Sequence, residues 1–327
     1  MSKHNILIIV TLWVLSILLQ ACSANAGPAF TPAETAITPM RVPSIDRETK
    51  IPTSAVKISP NTNEHPPLIY SNDYETPLPV LGEVNTAGAE DSPYITPDGN
   101  SLYFVFTPDV TVPVERQLLD GVTGIYVSHS IDGTWSAAQR LILQDAGKLS
   151  LDGCEYVQGN IIWFCSTREG YTGMHWFTAE YLDSRWQNWT LADFDPAYQV
   201  GELHFTLDGT QVYFASERAG GMGGRDIWMS SKVNGAWQEP VNIRAVNTED
   251  GEGWPALNPS GDELWFTRNY GIWRSKLVTG EWQAPELVVS PLAGEPSIDK
   301  NGNLYFVHHF YHDDQMLEAD IYVAYKK

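Results

Sequence analysis

The chain reads as all-β, a single β-propeller of five blades with four antiparallel strands each, six blades being the alternative. Three observations predict it. No helical period appears after about residue 69, and short aromatic and β-branched runs alternate with Gly, Asp and Asn turns instead. An internal repeat returns along the same stretch, with turn glycines at 99, 159, 209, 261 and 302. The final repeat lacks its last strand, and a segment near the other end fits that place.

At the N-terminus, Lys3 and His4 precede an apolar run from Ile6 to Leu19. The run falls short of the roughly 20 apolar residues a spanning helix needs, and small and polar residues follow it, the layout of a secretory signal. It ends in Leu19-Gln20-Ala21-Cys22, which resembles the lipobox of bacterial lipoproteins. That resemblance implies a signal peptide over residues 1–22, lipidation of Cys22 and attachment to a membrane through the N-terminal lipid. Plain cleavage near Ala24 or Ala26 is the alternative. Ser23 after the cysteine implies the outer membrane, facing the periplasm or the cell surface.

Residues 23–70 hold 8 prolines and 10 Ser or Thr, a composition that buries too little apolar surface to offset the entropy of ordering. Residues 23–68 are therefore expected as a disordered tether and 69–327 as the propeller.

The repeat is clearest from Val246-Asn247-Thr248 through Pro259-Ser260-Gly261, Leu264-Trp265-Phe266, Arg268 and Gly271-Ile272-Trp273 to Gly280-Glu281-Trp282. The same order runs Val84-Asn85-Thr86, Pro97-Asp98-Gly99, Leu102-Tyr103-Phe104, Gly124-Ile125-Tyr126 and Asp132-Gly133-Thr134-Trp135. Further copies hold Val212-Tyr213-Phe214 with Arg218, Ile162-Trp163-Phe164 with Arg168, and Leu304-Tyr305-Phe306. The segment around Pro77–Leu81 is expected to supply the last blade's fourth strand and close the ring.

These residues resemble the WD-like "PD" propeller repeats of TolB-type periplasmic proteins, best at Thr96-Pro97-Asp98-Gly99 and along the stretch from Ser216 to Trp228. The resemblance covers residues 84–325. It implies the propeller fold and partners that are proteins or glycans, and no particular activity.

With Cys22 assigned to lipid, Cys154 and Cys165 flank the turn Gly159-Asn160 in a compartment that permits disulfides. A disulfide and two buried thiols both stay open. A strict two-residue turn places them at a hydrogen-bonded pair, where Cα atoms lie about 5.5 Å apart but side chains diverge. The net charge is −20, with 36 acidic against 15 basic residues over 71–327. Nucleic acid is excluded as a partner by that balance.

In a four-stranded meander, the connection into the inner strand and the loop between second and third strands share one face. There, Glu90, Glu155, Glu202, Glu252 and Glu295 stand near the inner-strand starts and are expected to ring the channel mouth as ligand-binding residues. Crowded carboxylates raise each other's pKa or recruit a cation; pairing with arginines is the competing reading. Arg168, Arg218 and Arg268 follow the second strands and are candidate clamps for a carboxylate, or locks within their own blades. In the last blade, His309, His312, Asp313 and Asp314 combine imidazole with carboxylate and are the candidate metal site. The insertion from Thr107 to Thr123 is a candidate lid or docking loop. Eight tryptophans sit at repeat positions and are expected in the inter-blade core, with Trp176 and Trp254 outside that pattern.

The sequence thus predicts a non-catalytic, membrane-attached module that binds a protein partner or a glycan. A glycan-active hydrolase or lyase with its site at the channel mouth is the alternative, and no G-x-S-x-G elbow supports it. No cofactor is established, and a divalent metal is the one candidate.

Overall fold

The computed structural model describes residues 46–327 apart from 194, 196, 197 and 199. The signal segment, Cys22 and the tether as far as residue 45 lie outside the described residues. Among the described residues no helix is long and apolar enough to cross a membrane.

Five four-stranded antiparallel units follow one another. Blade 1 is Ala89–Ile95, Ser101–Thr107, Gly124–Ile131 and Gln139–Arg140, and blade 2 is Ser150–Gln158, Ile161–Arg168, Met174–Leu182 and Arg185–Leu191. Blade 3 is Leu203–Phe205, Gln211–Ser216, Asp226–Val233 and Val241–Asn242, and blade 4 is Glu252–Leu257, Glu263–Arg268, Gly271–Val278 and Glu286–Ser290. Blade 5 takes Ala293–Ile298, Leu304–His312 and Gln315–Ala324 from the C-terminal end and Leu78–Pro79 from the N-terminal end, with Leu78 opposite Val323. Each inner strand packs against the inner strands of the blades on either side, so the five close into a ring. The protein is a β-propeller, and the closing strand falls in the segment expected for it.

The turns follow from their chemistry. Gly99, Gly209, Gly261 and Gly302 have φ of 77°, 65°, 74° and 80°, a region that favours glycine. In the first turn Asp98 accepts from the Thr96 hydroxyl at 2.6 Å and from the Asn100 N–H at 3.1 Å, so the aspartate replaces a backbone partner. Between blades, both faces of the central strands are buried: Leu264 and Phe266 pack with blade 3, and Trp265 between them packs with blade 5. Trp135, Trp163, Trp186, Trp228, Trp237, Trp265, Trp273 and Trp282 all pack in the inter-blade clusters. Trp176 joins them, 3 % exposed, which corrects its reading as an outlier. Full burial of one such ring stabilises by about 2 kcal/mol.

Part of the segment expected as a tether lies among the described residues. Residues 46–67, expected to be disordered, lie on the propeller as a strap across the seam between blades 1 and 5. Arg47 donates to the Glu90 carboxylate at 3.1 Å and to the Val84 carbonyl at 2.7 Å, with its guanidinium 4.8 Å from the centre of the Phe106 ring. Lys57 pairs with Glu318 at 3.0 Å and with Asp320. Ile51 and Ile58 pack on the hydrophobic clusters beneath. Proline-rich composition measures apolar content; it does not register two cations aimed at buried acids. Beyond the strap, Leu68–Ile69 adds an edge strand to blade 4, and Asp73 bridges Arg274 at 2.8 Å and Lys326 at 3.1 Å.

Candidate functional site

The inner strands share one irregularity. In blades 1, 2, 4 and 5 the register slips between Asp91 and Tyr94, Gly153 and Tyr156, Gly253 and Ala256, and Gly294 and Ser297. The residue that begins each bulge is left-handed: Ser92, Cys154, Trp254 and Glu295 have φ of 49°, 56°, 51° and 55°. Such a conformation costs about 1 kcal/mol or more in a non-glycine residue, and bulges re-aim side chains. Here they turn these residues and their neighbours towards the axis, where a cavity is lined from all five blades.

Three of the five predicted glutamates meet there: Glu155, Glu202 and Glu295. Asp91 joins them, and single ligand atoms of Asp91, Glu295 and His309 lie within 4.8 Å of one another. The Ser92 hydroxyl donates to Glu295 at 2.6 Å, and the Ser92 N–H to Asp91 at 2.8 Å. Arg225 approaches Glu202 at 4.0 Å and lies 6.0 Å from the centre of the Trp254 ring. Glu155 is 7 % exposed, and apart from its own backbone N–H neither carboxylate oxygen has a hydrogen-bond partner among the described residues.

Burial, with the Asp91 charge nearby, pushes the Glu155 carboxyl well above the usual range, and burial and Asp91 do the same to Glu295. For Asp91 burial also opposes ionisation, but the His309 imidazole and the Ser92 N–H outweigh it and hold this carboxyl below the usual range. His204 on the cavity wall is lowered to about 4 by burial and is neutral near pH 7.

Glu90 and Glu252 do not reach the cavity. They stand two residues before the left-handed position, whereas Glu295 occupies it and Glu155 follows it by one. Each belongs instead to a repeated lock. Thr86 donates its hydroxyl to Glu90 at 2.6 Å and Thr248 its hydroxyl to Glu252 at 2.6 Å. The asparagine before each threonine brackets one residue in the third strand of the preceding blade: Asn85 on Ile321 at 2.9 Å, Asn247 on Ile227 at 2.8 Å. The Val-Asn-Thr repeat is thus a seam between blades, and its glutamate completes the seam.

The three arginines are locks rather than a clamp. Arg268 pairs with Glu252 at 2.6 Å, Arg168 with Asp152 at 2.9 Å, and Arg218 with Asp195. All three are buried, with guanidinium groups over aromatic rings of their own blades. The ion pair plus ring stacking holds the side chain within its own blade.

The predicted metal set divides. His309 points to the axial cluster, while His312, Asp313 and Asp314 form the tip of a β-hairpin. The His312 and Asp313 side chains are 73 % and 93 % exposed. His308, its neighbour on the strand, is fully buried and bonded to Asn63 at 2.9 Å, as strand alternation requires. Cys154 and Cys165 are joined as a disulfide with Cα atoms 5.3 Å apart. The bulge resolves the geometric objection, because it shifts Cys165 opposite Gly153 and leaves Cys154 free to turn.

Asp91 was missed, and the repeat holds a signal for it. Its equivalents are Gly153, Gly201, Gly253 and Gly294, so this blade alone has a carboxylate where the others have no side chain. The insertion between Thr107 and Thr123 contains one helical turn, Val114–Gln117, tied down by Gln117 donating to the Val112 carbonyl at 2.8 Å.

No protein-family model and no curated protein matches the chain. Solved structures that resemble it are propellers of several kinds. A gluconolactonase from Xanthomonas campestris is 13 % identical with a TM-score of 0.43, over 80 % of this chain and 95 % of its own. The β-xylosidase RS223 is 10 % identical with a TM-score of 0.48, over 77 % and 95 %. A putative TolB from Agrobacterium tumefaciens is 14 % identical with a TM-score of 0.39, over 74 % and 92 %. At these identities the likeness is one of fold.

Proposed function

We propose that this is an exported, lipid-anchored binding module of the TolB-type propeller-repeat kind, whose axial cavity takes a neutral, polyhydroxylated glycan. The observation that carries the reading is Glu155, a buried carboxyl on the cavity wall whose oxygens take no hydrogen bond from another described residue. Around it stand Glu202, Glu295 and Asp91, a wall of carboxyl groups with which hydroxyls can exchange hydrogen bonds. Sugar hydroxyls supply donors, and Trp254, at the rim beside Arg225, offers a face for a pyranose ring.

The test is a thermal-shift and calorimetric screen of the full-length chain in detergent against neutral oligosaccharides, because a ligand of the folded state raises its melting temperature. Binding should fall at least tenfold in Glu155→Gln and in Trp254→Ala, with the melting temperature of the free protein little changed. Oligosaccharide binding that both variants retain sinks the cavity assignment. Cleavage of the bound sugar would move the protein to the hydrolase class.

A further inference from the structure

We infer that the axial cavity also holds a divalent cation, with Asp91, Glu295 and His309 as ligands and Glu155 facing it from across the cavity as a further carboxylate. This set differs from the one the sequence suggested: of those four residues only His309 takes part, and the hairpin tip carries none of it.

Geometry comes first. Donor atoms bound to one ion at 2.0 to 2.6 Å are separated by at most about 5 Å. The ligand atoms of Asp91, Glu295 and His309 already lie within 4.8 Å of each other, so they can close on an ion through side-chain movement alone. Three different strands supply them: the inner strands of blades 1 and 5 and the second strand of blade 5. A rigid ring therefore fixes their spacing.

The second observation is independent of that cluster. Glu155 comes from blade 2, across the cavity, is more than nine-tenths buried, and its oxygens lack partners from other residues. A buried carboxylate without a partner costs several kcal/mol, and a fold keeps one where something else completes it. The His309 Nδ1 atom is likewise buried and unpartnered. Among the described residues, Arg225 beside Glu202 and His309 itself are the sole basic groups within ion-pair distance of these four carboxyls.

The donor set narrows the ion. Calcium takes oxygen ligands almost exclusively, whereas one imidazole with two carboxylates suits manganese or zinc. Such an ion also has positions open toward the cavity, where hydroxyl oxygens can bind; that last step rests on the glycan reading above, and the cation itself does not.

The experiment uses the full-length chain in detergent, stripped with EDTA and dialysed against MnCl2, ZnCl2 or CaCl2, with bound metal measured by elemental analysis. One equivalent of Mn²⁺ or Zn²⁺ per chain is expected, with a raised melting temperature. Asp91→Asn, His309→Ala and Glu155→Gln should each weaken binding at least tenfold, while His312→Ala and Asp313→Asn leave it unchanged. Glu155→Gln disturbs no hydrogen bond to another residue and keeps the test open if another variant does not fold. Absence of bound metal overturns the inference, as does one equivalent that survives Asp91→Asn and Glu155→Gln or that disappears with His312→Ala. An EDTA-stripped chain that still binds oligosaccharide but no metal removes the cation and leaves the glycan reading standing; metal without oligosaccharide does the reverse.

Discussion

Arg268 donates through Nε to the Glu252 carboxylate at 2.6 Å while its guanidinium lies 4.7 Å from the centre of the Trp273 ring. Both members are buried, and Thr248 and the Val246 carbonyl complete their hydrogen bonds. Removing one member of such a pair strands the other charge. Arg268→Ala should destabilise the propeller by about 3 to 5 kcal/mol, read from urea unfolding, and should leave metal and oligosaccharide affinity per folded molecule unchanged. A loss under 1 kcal/mol would show that the lock is ornamental.

The Cys154–Cys165 bond closes a loop with a sequence separation of 11. Loop-closure entropy for that length amounts to about 3 kcal/mol. Replacing both cysteines with serine should lower stability by about that much in urea melts, and dithiothreitol should reproduce the loss in the parent chain. Because Cys154 begins the bulge that precedes Glu155, oligosaccharide affinity should fall as well.

The buried acids beneath the strap make stability fall as pH rises. Burial, against the opposing pull of Lys57, raises Asp320 to about 7, and burial against Arg47 raises Glu90 to about 7. A carboxyl raised in the folded state binds its proton more tightly there than in the unfolded chain. Its contribution is full below the ordinary carboxylate range near 4 and is lost as pH rises through about 7. Unfolding free energy measured from pH 4.5 to 8 should therefore show a downward component that Asp320→Asn reduces. An unchanged slope in that variant would remove Asp320 as its source.

Lipidation at Cys22 is open to a direct measurement. Cells grown with radiolabelled palmitate should yield labelled protein in membrane fractions, and Cys22→Ala should abolish the label and release the protein in soluble form. Label retained by Cys22→Ala would rule the site out.

The fold was legible because its signal is repeated: Leu102-Tyr103-Phe104 and Leu264-Trp265-Phe266 share an alternation, and turn glycines punctuate each copy. The site was legible only in part, because it lies where the copies differ. Glu90 and Glu295 read alike as acids near a strand start, yet the one-residue slip of each bulge sends one into a seam and the other to the axis. A register shift of that size leaves no mark in composition. Asp91 shows the reverse case, since a column of glycines broken by one aspartate is visible in the sequence once the blades are aligned by strand pairing. The strap was hidden because Arg47 and Lys57 are meaningful only beside Glu90, Glu318 and Asp320, partners up to 263 residues away.

The strap also sets a mechanical order on the molecule. Counting from the N-terminus, Arg47 and Lys57 precede the edge strand Leu68–Ile69, which precedes the closing strand Leu78–Pro79. Tension drawn through the leading chain therefore loads the buried Arg47 and the Lys57 ion pairs before it reaches any backbone ladder at the ring's join. Peeling from that end must first return the Arg47 charge to water and break the Lys57 pairs, so the join is guarded by the segment most exposed to the pull.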